Sequence, residues 1–364
     1  MARLFRVAST SIRRRGGAAA ADPPEYSSGE IGVVNSKTVE ITFSEDMDTD
    51  SDYTTGVTIM VGSVSYTGFS GARQSNKSKV HYVLVSGVDG TEAVTWAYSE
   101  SSGGIKSESD GVALEDVSAQ AATNTAFEPG DLSGTIRWWH ARPSAANGIS
   151  GSNDAVIPTW DENGGASANQ YGQTTVDKRP LLKTGANGIN GQNALWFDGT
   201  DDVLTSTIRW DTAFDDANEH TVWLVFEIEA MGASSGGVSY GYANVATDSQ
   251  GWWGMAVSAT KLSYWDWSTQ LRTVAGVDTP YVSESRHESS PSGTLYFKFN
   301  SLGNEVNGAK TGSGGTSGTL LVGANYNASV CFSGKVSEII YSNIAETSAD
   351  RAKMQAVLEN IYGV

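Results

Sequence analysis

The sequence has 364 residues, of which 39% are hydrophobic, 10% aromatic and 18% charged. This length exceeds that of one ordinary domain and is enough for two, each with its own core. The hydrophobic fraction excludes a wholly disordered chain, and no apolar run is long enough to predict a membrane-spanning helix. The 41 glycines, 8 prolines and abundant Ser, Thr and Asn predict an all-β, turn-rich protein.

Charge is distributed unevenly along the chain. The formal net charge is −17, yet the first fifteen residues hold five arginines and no acidic residue. The remainder is therefore strongly acidic and should repel nucleic acid and anionic membranes, so we expect neither as a partner. Cys331 has no second cysteine to pair with, and we interpret it as a small core residue.

Residues 1–22 are predicted to form a basic N-terminal docking arm. A secretion signal is not expected here, because Arg6 interrupts the apolar start and the arginine cluster leads only to glycines and alanines. A mitochondrial presequence is the alternative interpretation. We expect the arm to bind the acidic surface of a capsid or tail protein through Arg3, Leu4, Phe5, Arg6, Ile12, Arg13, Arg14 and Arg15.

Residues 23–126 are predicted to form a first β-sandwich, because short apolar strands alternate with Gly, Asn and Asp turns. The segment Val39-Glu-Ile-Thr-Phe-Ser-Glu-Asp-Met-Asp48 resembles the strand and turn signature of bacterial Ig-like repeats, and Val94-Thr-Trp-Ala-Tyr98 resembles their closing strands. The resemblance implies a spacer or adhesive module.

Residues 127–364 are predicted to form a larger β-sandwich that ends in a helix. In Thr221–Glu229, Val222, Leu224, Phe226 and Ile228 face one side of a strand, while Trp223, Val225, Glu227 and Glu229 face the other. Near the end, Thr347 or Ser348 can cap a helix. Its apolar stripe is Met354, Val357, Leu358, Ile361 and Tyr362.

This second module resembles laminin-G/concanavalin-A-like jelly rolls, the lectin and glucanase fold. The resemblance rests on Trp160-Asp-Glu-Asn-Gly-Gly165, Gly188-Ile-Asn-Gly-Gln-Asn-Ala-Leu-Trp-Phe-Asp-Gly-Thr-Asp-Asp-Val-Leu204 and Phe332-Ser-Gly-Lys-Val-Ser-Glu-Ile-Ile-Tyr341. It implies a carbohydrate-binding sandwich. Residues 230–290 depart from the family pattern.

Two groups of residues are candidates for binding. Asp198, Asp201 and Asp202 are candidates for a Ca²⁺ site, and hydrogen bonding of the turn backbone is the alternative. An aromatic cluster suits glycan contact, because aromatic rings stack on sugars and Asp bonds their hydroxyls, while core packing is the alternative. The cluster consists of Trp252, Trp253, Tyr264, Trp265, Asp266 and Trp267.

No catalytic constellation is evident in the sequence. Glu227 and Glu229 share a strand face, but the third carboxylate of the glycosidase pattern is missing, so we expect no enzymatic activity and no cofactor beyond Ca²⁺. The parts together predict a bacteriophage virion protein, a capsid decoration or short fibre on the virion exterior. We expect it to bind glycans weakly, with a homo-oligomer as a further expected partner state. The alternative is a bacterial surface or extracellular lectin-like adhesin.

Overall fold

The protein is described by a computed structural model. It covers residues 22–32, 37–62, 64–66, 68–85, 87–88, 92–134, 136–142, 149–162, 169–209, 219–229, 242–244, 253–258, 261–266, 269–274, 278–288, 293–300, 305–309, 318–324 and 331–364. The predicted docking arm, apart from Asp22, lies outside these residues. Among the residues described, no helix combines the length and apolar character needed to cross a membrane.

The first module has eight strands, which pair in the order β4-β3-β7-β8-β1-β2-β6-β5. All pairs are antiparallel except β1 with β8. Side chains from both halves of this sheet meet in one core around the buried Trp96. The strands are β1 Tyr26–Ile31, β2 Thr38–Phe43, β3 Val57–Val61, β4 Val64–Tyr66, β5 Ser70–Arg73, β6 Lys79–Val83, β7 Val94–Tyr98 and β8 Val117–Asn124.

The second module contains the remaining strands. They are β9 Ile136–His140, β10 Ala155–Val156, β11 Thr159–Asp161, β12 Gln170–Gly172, β13 Leu181–Lys183, β14 Ala194–Asp198, β15 Leu204–Arg209, β16 His220–Ile228, β17 Tyr242–Asn244, β18 Trp253–Ser258, β19 Lys261–Asp266, β20 Thr269–Val274, β21 Pro280–Glu288, β22 Thr294–Phe299, β23 Val306–Ala309, β24 Gly318–Val322 and β25 Ser333–Ser342. Short 3₁₀ turns lie at Pro129–Asp131, Val176–Lys178 and Gly185–Asn187.

Three sheets form this module. The large sheet has the order β10-β13-β14-β25-β16-β21-β22-β23, with β9 also paired to β25. A smaller sheet has the order β11-β12-β15-β24-β17, and β18-β19-β20 form a separate three-stranded sheet. A core of apolar side chains from the large and smaller sheets joins them into a sandwich. The predicted all-β class is therefore confirmed, whereas the Ig-like and laminin-G identities and the module boundaries stay predictions.

The helix α1, Ser348–Tyr362, packs on the outer face of the large sheet. Thr347 caps it by accepting a hydrogen bond from Asp350 N, and the predicted apolar stripe is buried. The alternation of β16 is also confirmed. Val222, Leu224, Phe226 and Ile228 lie in the inner core, while Trp223 and Val225 pack with the helix.

A buried ionic group joins the two modules. Arg142 lies 3.6 Å from Glu92 of the first module and 3.3 Å from Glu338 of β25. Glu338 also accepts hydrogen bonds from Trp138 Nε1 and Tyr362 Oη, each at 2.7 Å. The backbone of Gly87 donates to the helix residue Asn360 at 2.9 Å. These contacts attach the first module to the helix-covered face of the second.

Candidate functional site

A patch of polar and aromatic residues lies on the outer face of the large sheet, beyond the helix. There β25 runs between β14 and β16. Trp196 and Glu227 lie on either side of Lys335 in the strand register. Asp198 pairs with Ser333, and Glu229 N donates to Ser333 O. We call these six residues the Trp196 patch: Trp196, Asp198, Glu227, Glu229, Ser333 and Lys335.

Strand alternation explains why the patch faces outward. Leu195 and Phe197 point into the inner core, so Trp196 and Asp198 must point away from it. Trp196 is half-buried and Asp198 is exposed. Between the side chains at 333 and 335 lies Gly334, whose φ is +152°. A Cβ at this glycine would lie 2.2 Å from Glu227 O, so only glycine allows β25 to approach β16 this closely.

Lys335 holds the two glutamates of the patch. Its Nζ lies 2.6 Å from Glu227 Oε1 and 3.5 Å from Glu229 Oε1. Burial by itself lowers the pKa of Lys335, but the hydrogen bonds and charges of both glutamates raise it above its usual value. The lysine therefore stays an ammonium group and fixes the two carboxylates beside the indole.

Trp196 has charged groups at its edge and over its face. Its Nε1 donates a hydrogen bond to Glu229 Oε2. The ammonium group of Lys183 lies 4.8 Å from the ring centroid and is paired with Asp154. An indole in this setting combines an aromatic surface with fixed hydrogen-bonding groups, which is the combination that sugar rings require.

The three predicted Ca²⁺ ligands do come together at the end of β14. One carboxylate oxygen from each of Asp198, Asp201 and Asp202 lies within 4.8 Å of the others. Asp198 Oδ1 accepts from Thr200 N at 2.7 Å, and Asp202 Oδ2 accepts from Asp198 N at 3.0 Å. Asp198 and Asp202 therefore also accept hydrogen bonds from the turn backbone, which is the alternative role expected from the sequence. Burial raises the pKa of Asp202 to about 6, although the Asp198 N–H opposes the rise, and the charges of Asp198 and Asp201 add to it.

The aromatic cluster is only partly described, since Trp252 and Trp267 lie outside the described residues. In the three-stranded sheet, Trp253 pairs with Asp266, and Trp265 lies between Gly254 and Gln270. The role of the aromatic cluster in binding stays a prediction.

Sequence analysis missed Trp196 as a site residue. It lies in the segment from Gly188 to Leu204 that resembles the jelly-roll family, where the sequence predicts only a strand. Its position between two core residues was the available signal, because that places its side chain on the outer face. The other predicted group, the arm residues Arg3 to Arg15, lies outside the described residues.

No family model matches the chain, and no curated protein matches it. Among solved structures, Trypanosoma rangeli sialidase in complex with 2,3-difluorosialic acid has a TM-score of 0.44 at 8% identity, over 93% of this chain and 53% of that one. Domain 4 of AbnA, an arabinanase from Geobacillus stearothermophilus, in complex with arabinotriose, has a TM-score of 0.35 at 11% identity. The match covers 57% of this chain and 100% of that one. The chain spans about half the length of the sialidases it matches.

These neighbours overturn one prediction from the sequence. We expected a protein without enzymatic activity, and that expectation is contradicted because the neighbours named above are a sialidase and an arabinanase. A third neighbour, the protein SO2946 of unknown function from Shewanella oneidensis MR-1, has a TM-score of 0.34 at 10% identity over 59% of this chain and 87% of that one. TM-scores of this size assign no particular activity to the present chain.

Proposed function

We propose that the second module binds glycans at the Trp196 patch. The observation that carries the proposal is a half-buried indole held beside two carboxylates and an ammonium group on one sheet face. The ring offers a surface for the apolar side of a sugar, and the charged groups offer bonds to its hydroxyls. Because the groups are fixed by one another, little ordering is needed on binding.

The binding test uses the full chain on an array of immobilised neutral, amino and acidic oligosaccharides. Trp196→Ala should weaken binding about tenfold or more, since the stacking surface is lost. Trp196→Phe keeps a ring and should retain most of the binding. Trp265→Ala is the matched control at the other candidate surface, and a larger loss there than in Trp196→Ala would move the site to the three-stranded sheet.

Glycan turnover is followed in the same incubations. Glu227 and Glu229 supply a pair of carboxylates, the groups that most glycoside hydrolases use. Release of sugar that is lost in Glu227→Gln would assign hydrolysis to this patch in addition to binding.

We also propose Ca²⁺ as a ligand of Asp198, Asp201 and Asp202. Calcium takes oxygen ligands, and three carboxylate oxygens within 4.8 Å of one another fit around one ion. The bound ion would fix the turn after β14, next to Trp196. Its hard charge would also be available to sugar hydroxyls.

For the whole chain, we propose a role as a virion decoration or fibre protein anchored by the basic arm, with a bacterial surface or extracellular adhesin as the alternative. Support comes from the five arginines in the first fifteen residues of an otherwise acidic chain. Mass spectrometry and cryo-EM of purified particles test it. An arm buried in a capsid or tail protein would support the virion role, and absence from all particles would favour the adhesin.

A further inference from the structure

The charges around the Trp196 patch narrow the class of glycan that it can bind. Six carboxylates lie in and beside the patch, those of Asp154, Asp198, Asp201, Asp202, Glu227 and Glu229. Among the described residues, Lys183 and Lys335 are paired with carboxylates of this group, and Lys178 lies near Cys331, as do the three aspartates. Carboxylates remain in excess even if a divalent cation occupies the aspartates.

Lys183 and Lys335, the two lysines next to Trp196, already have carboxylate partners. Lys335 is bonded to Glu227 and lies near Glu229, and Lys183 is paired with Asp154. An anionic sugar would therefore have to displace one of these pairs and approach the remaining carboxylates. The acidic body of the chain adds long-range repulsion to this local cost.

An ammonium group, by contrast, is already accommodated next to the ring. Lys183 Nζ lies over the Trp196 indole, with a carboxylate as its second partner. At the ring edge, Glu229 is the more exposed of the two glutamates of the patch. Asp198, two residues after Trp196 on the same strand, is also exposed. A ligand that brings its own ammonium group to this edge would find the carboxylates of Glu229 and Asp198, which can accept charge-assisted hydrogen bonds.

We infer that the Trp196 patch prefers glycans that carry a free amine, such as glucosamine oligomers, over neutral glycans, and rejects acidic ones. This inference rests on the proposed glycan site. The ring stacks on the sugar, while Glu229 and Asp198 accept charge-assisted hydrogen bonds from the sugar ammonium group. Glu227 remains bonded to Lys335 and keeps the edge of the site in place.

The test compares three tetrasaccharides by calorimetry with the full chain, at a pH below the pKa of the sugar amine. The probes are β-1,4-linked glucosamine, its fully N-acetylated form and oligogalacturonate. We expect the glucosamine tetramer to bind at least about tenfold more tightly than the acetylated one, and this ratio to fall in high salt. Oligogalacturonate should bind least.

Two variants separate charge preference from binding itself. Glu229→Gln should lower the ratio of glucosamine-tetramer affinity to acetylated-tetramer affinity, because it removes a charge that favours the ammonium group. Glu115→Gln, at an exposed carboxylate of the first module, should change neither affinity. Equal binding of the first two tetramers, or tightest binding of oligogalacturonate, would overturn the amine preference and leave glycan binding standing. If neither the glucosamine tetramer nor its acetylated form binds, but another glycan on the array does, the amine preference is likewise overturned and glycan binding stands. No binding to any glycan would remove both proposals.

Discussion

Replacement of Arg142 by Met tests the buried ionic group between the modules. The side chains of Arg142, Glu92 and Glu338 are 1%, 3% and 1% exposed, so the variant leaves two carboxylates buried without their shared cation. In this variant Glu338 keeps its bonds from Trp138 and Tyr362. Breaking a buried pair in this way costs about 3–5 kcal/mol, or roughly 6–20 °C in Tm.

The assay is urea and thermal unfolding of the full chain, followed by tryptophan fluorescence and circular dichroism. Lys353→Met is the matched control, because Lys353 is 57% exposed in its ion pair with Asp350, and it should change stability by less than about 1 kcal/mol. Adding Glu92→Gln to Arg142→Met should recover part of the loss, since one stranded charge is removed. A loss for Arg142→Met no larger than that of the control would refute the reasoning.

Four further predictions concern the acidic turn, β25 and the first module. Asp202 has a folded pKa of about 6, above its unfolded value, so its contribution to stability is present below the unfolded pKa and is lost as pH rises through about 6. Asp202→Asn should flatten this part of the curve of unfolding free energy against pH. An unchanged curve would contradict the raised pKa of Asp202. Addition of Ca²⁺ in large excess over its Kd at neutral pH should raise unfolding free energy by about 2–3 kcal/mol in the natural protein and not in Asp201→Asn, and calorimetry without a shift would argue against the cation. Gly334→Ala should destabilise the second module and weaken glycan binding together, because its Cβ would meet Glu227 O; unchanged melting would mean that β25 can shift at little cost. Burial alone would raise the pKa of Glu40, but hydrogen bonds from Lys79 and His81 outweigh burial and lower it. Glu40 therefore contributes stability that is present above its unfolded pKa and is lost as pH falls through its folded pKa. Glu40→Gln should remove this acid dependence, which denaturant unfolding at a series of acidic pH values would measure.

Local patterns in the sequence were enough to predict several elements. The alternation in Thr221–Glu229 assigns both faces of β16 correctly, and the spacing of apolar residues identifies the buried stripe of α1. The three aspartates were also found, because they lie within one short turn. In each case the information is contained in a few neighbouring residues.

The Trp196 patch could not be predicted in the same way, because its residues come from three distant parts of the chain. Trp196, Glu227 and Lys335 become neighbours only when β25 pairs with both β14 and β16. The extra residue at Ser337, where the register of β25 and β16 shifts, keeps Val336 and Ile339 on the inner face.

The position of β25 also determines when the second module can fold during synthesis. This strand pairs with β9, β14 and β16, yet it is made after all of them. At about 5–20 residues per second, β9 waits on the order of 10–40 s for its partner to leave the ribosome. Until then Trp139 and Phe197 lack the side chains of β25 that later share their core. The large sheet therefore closes late, through contacts between distant residues, and its assembly should be slower than that of the first module.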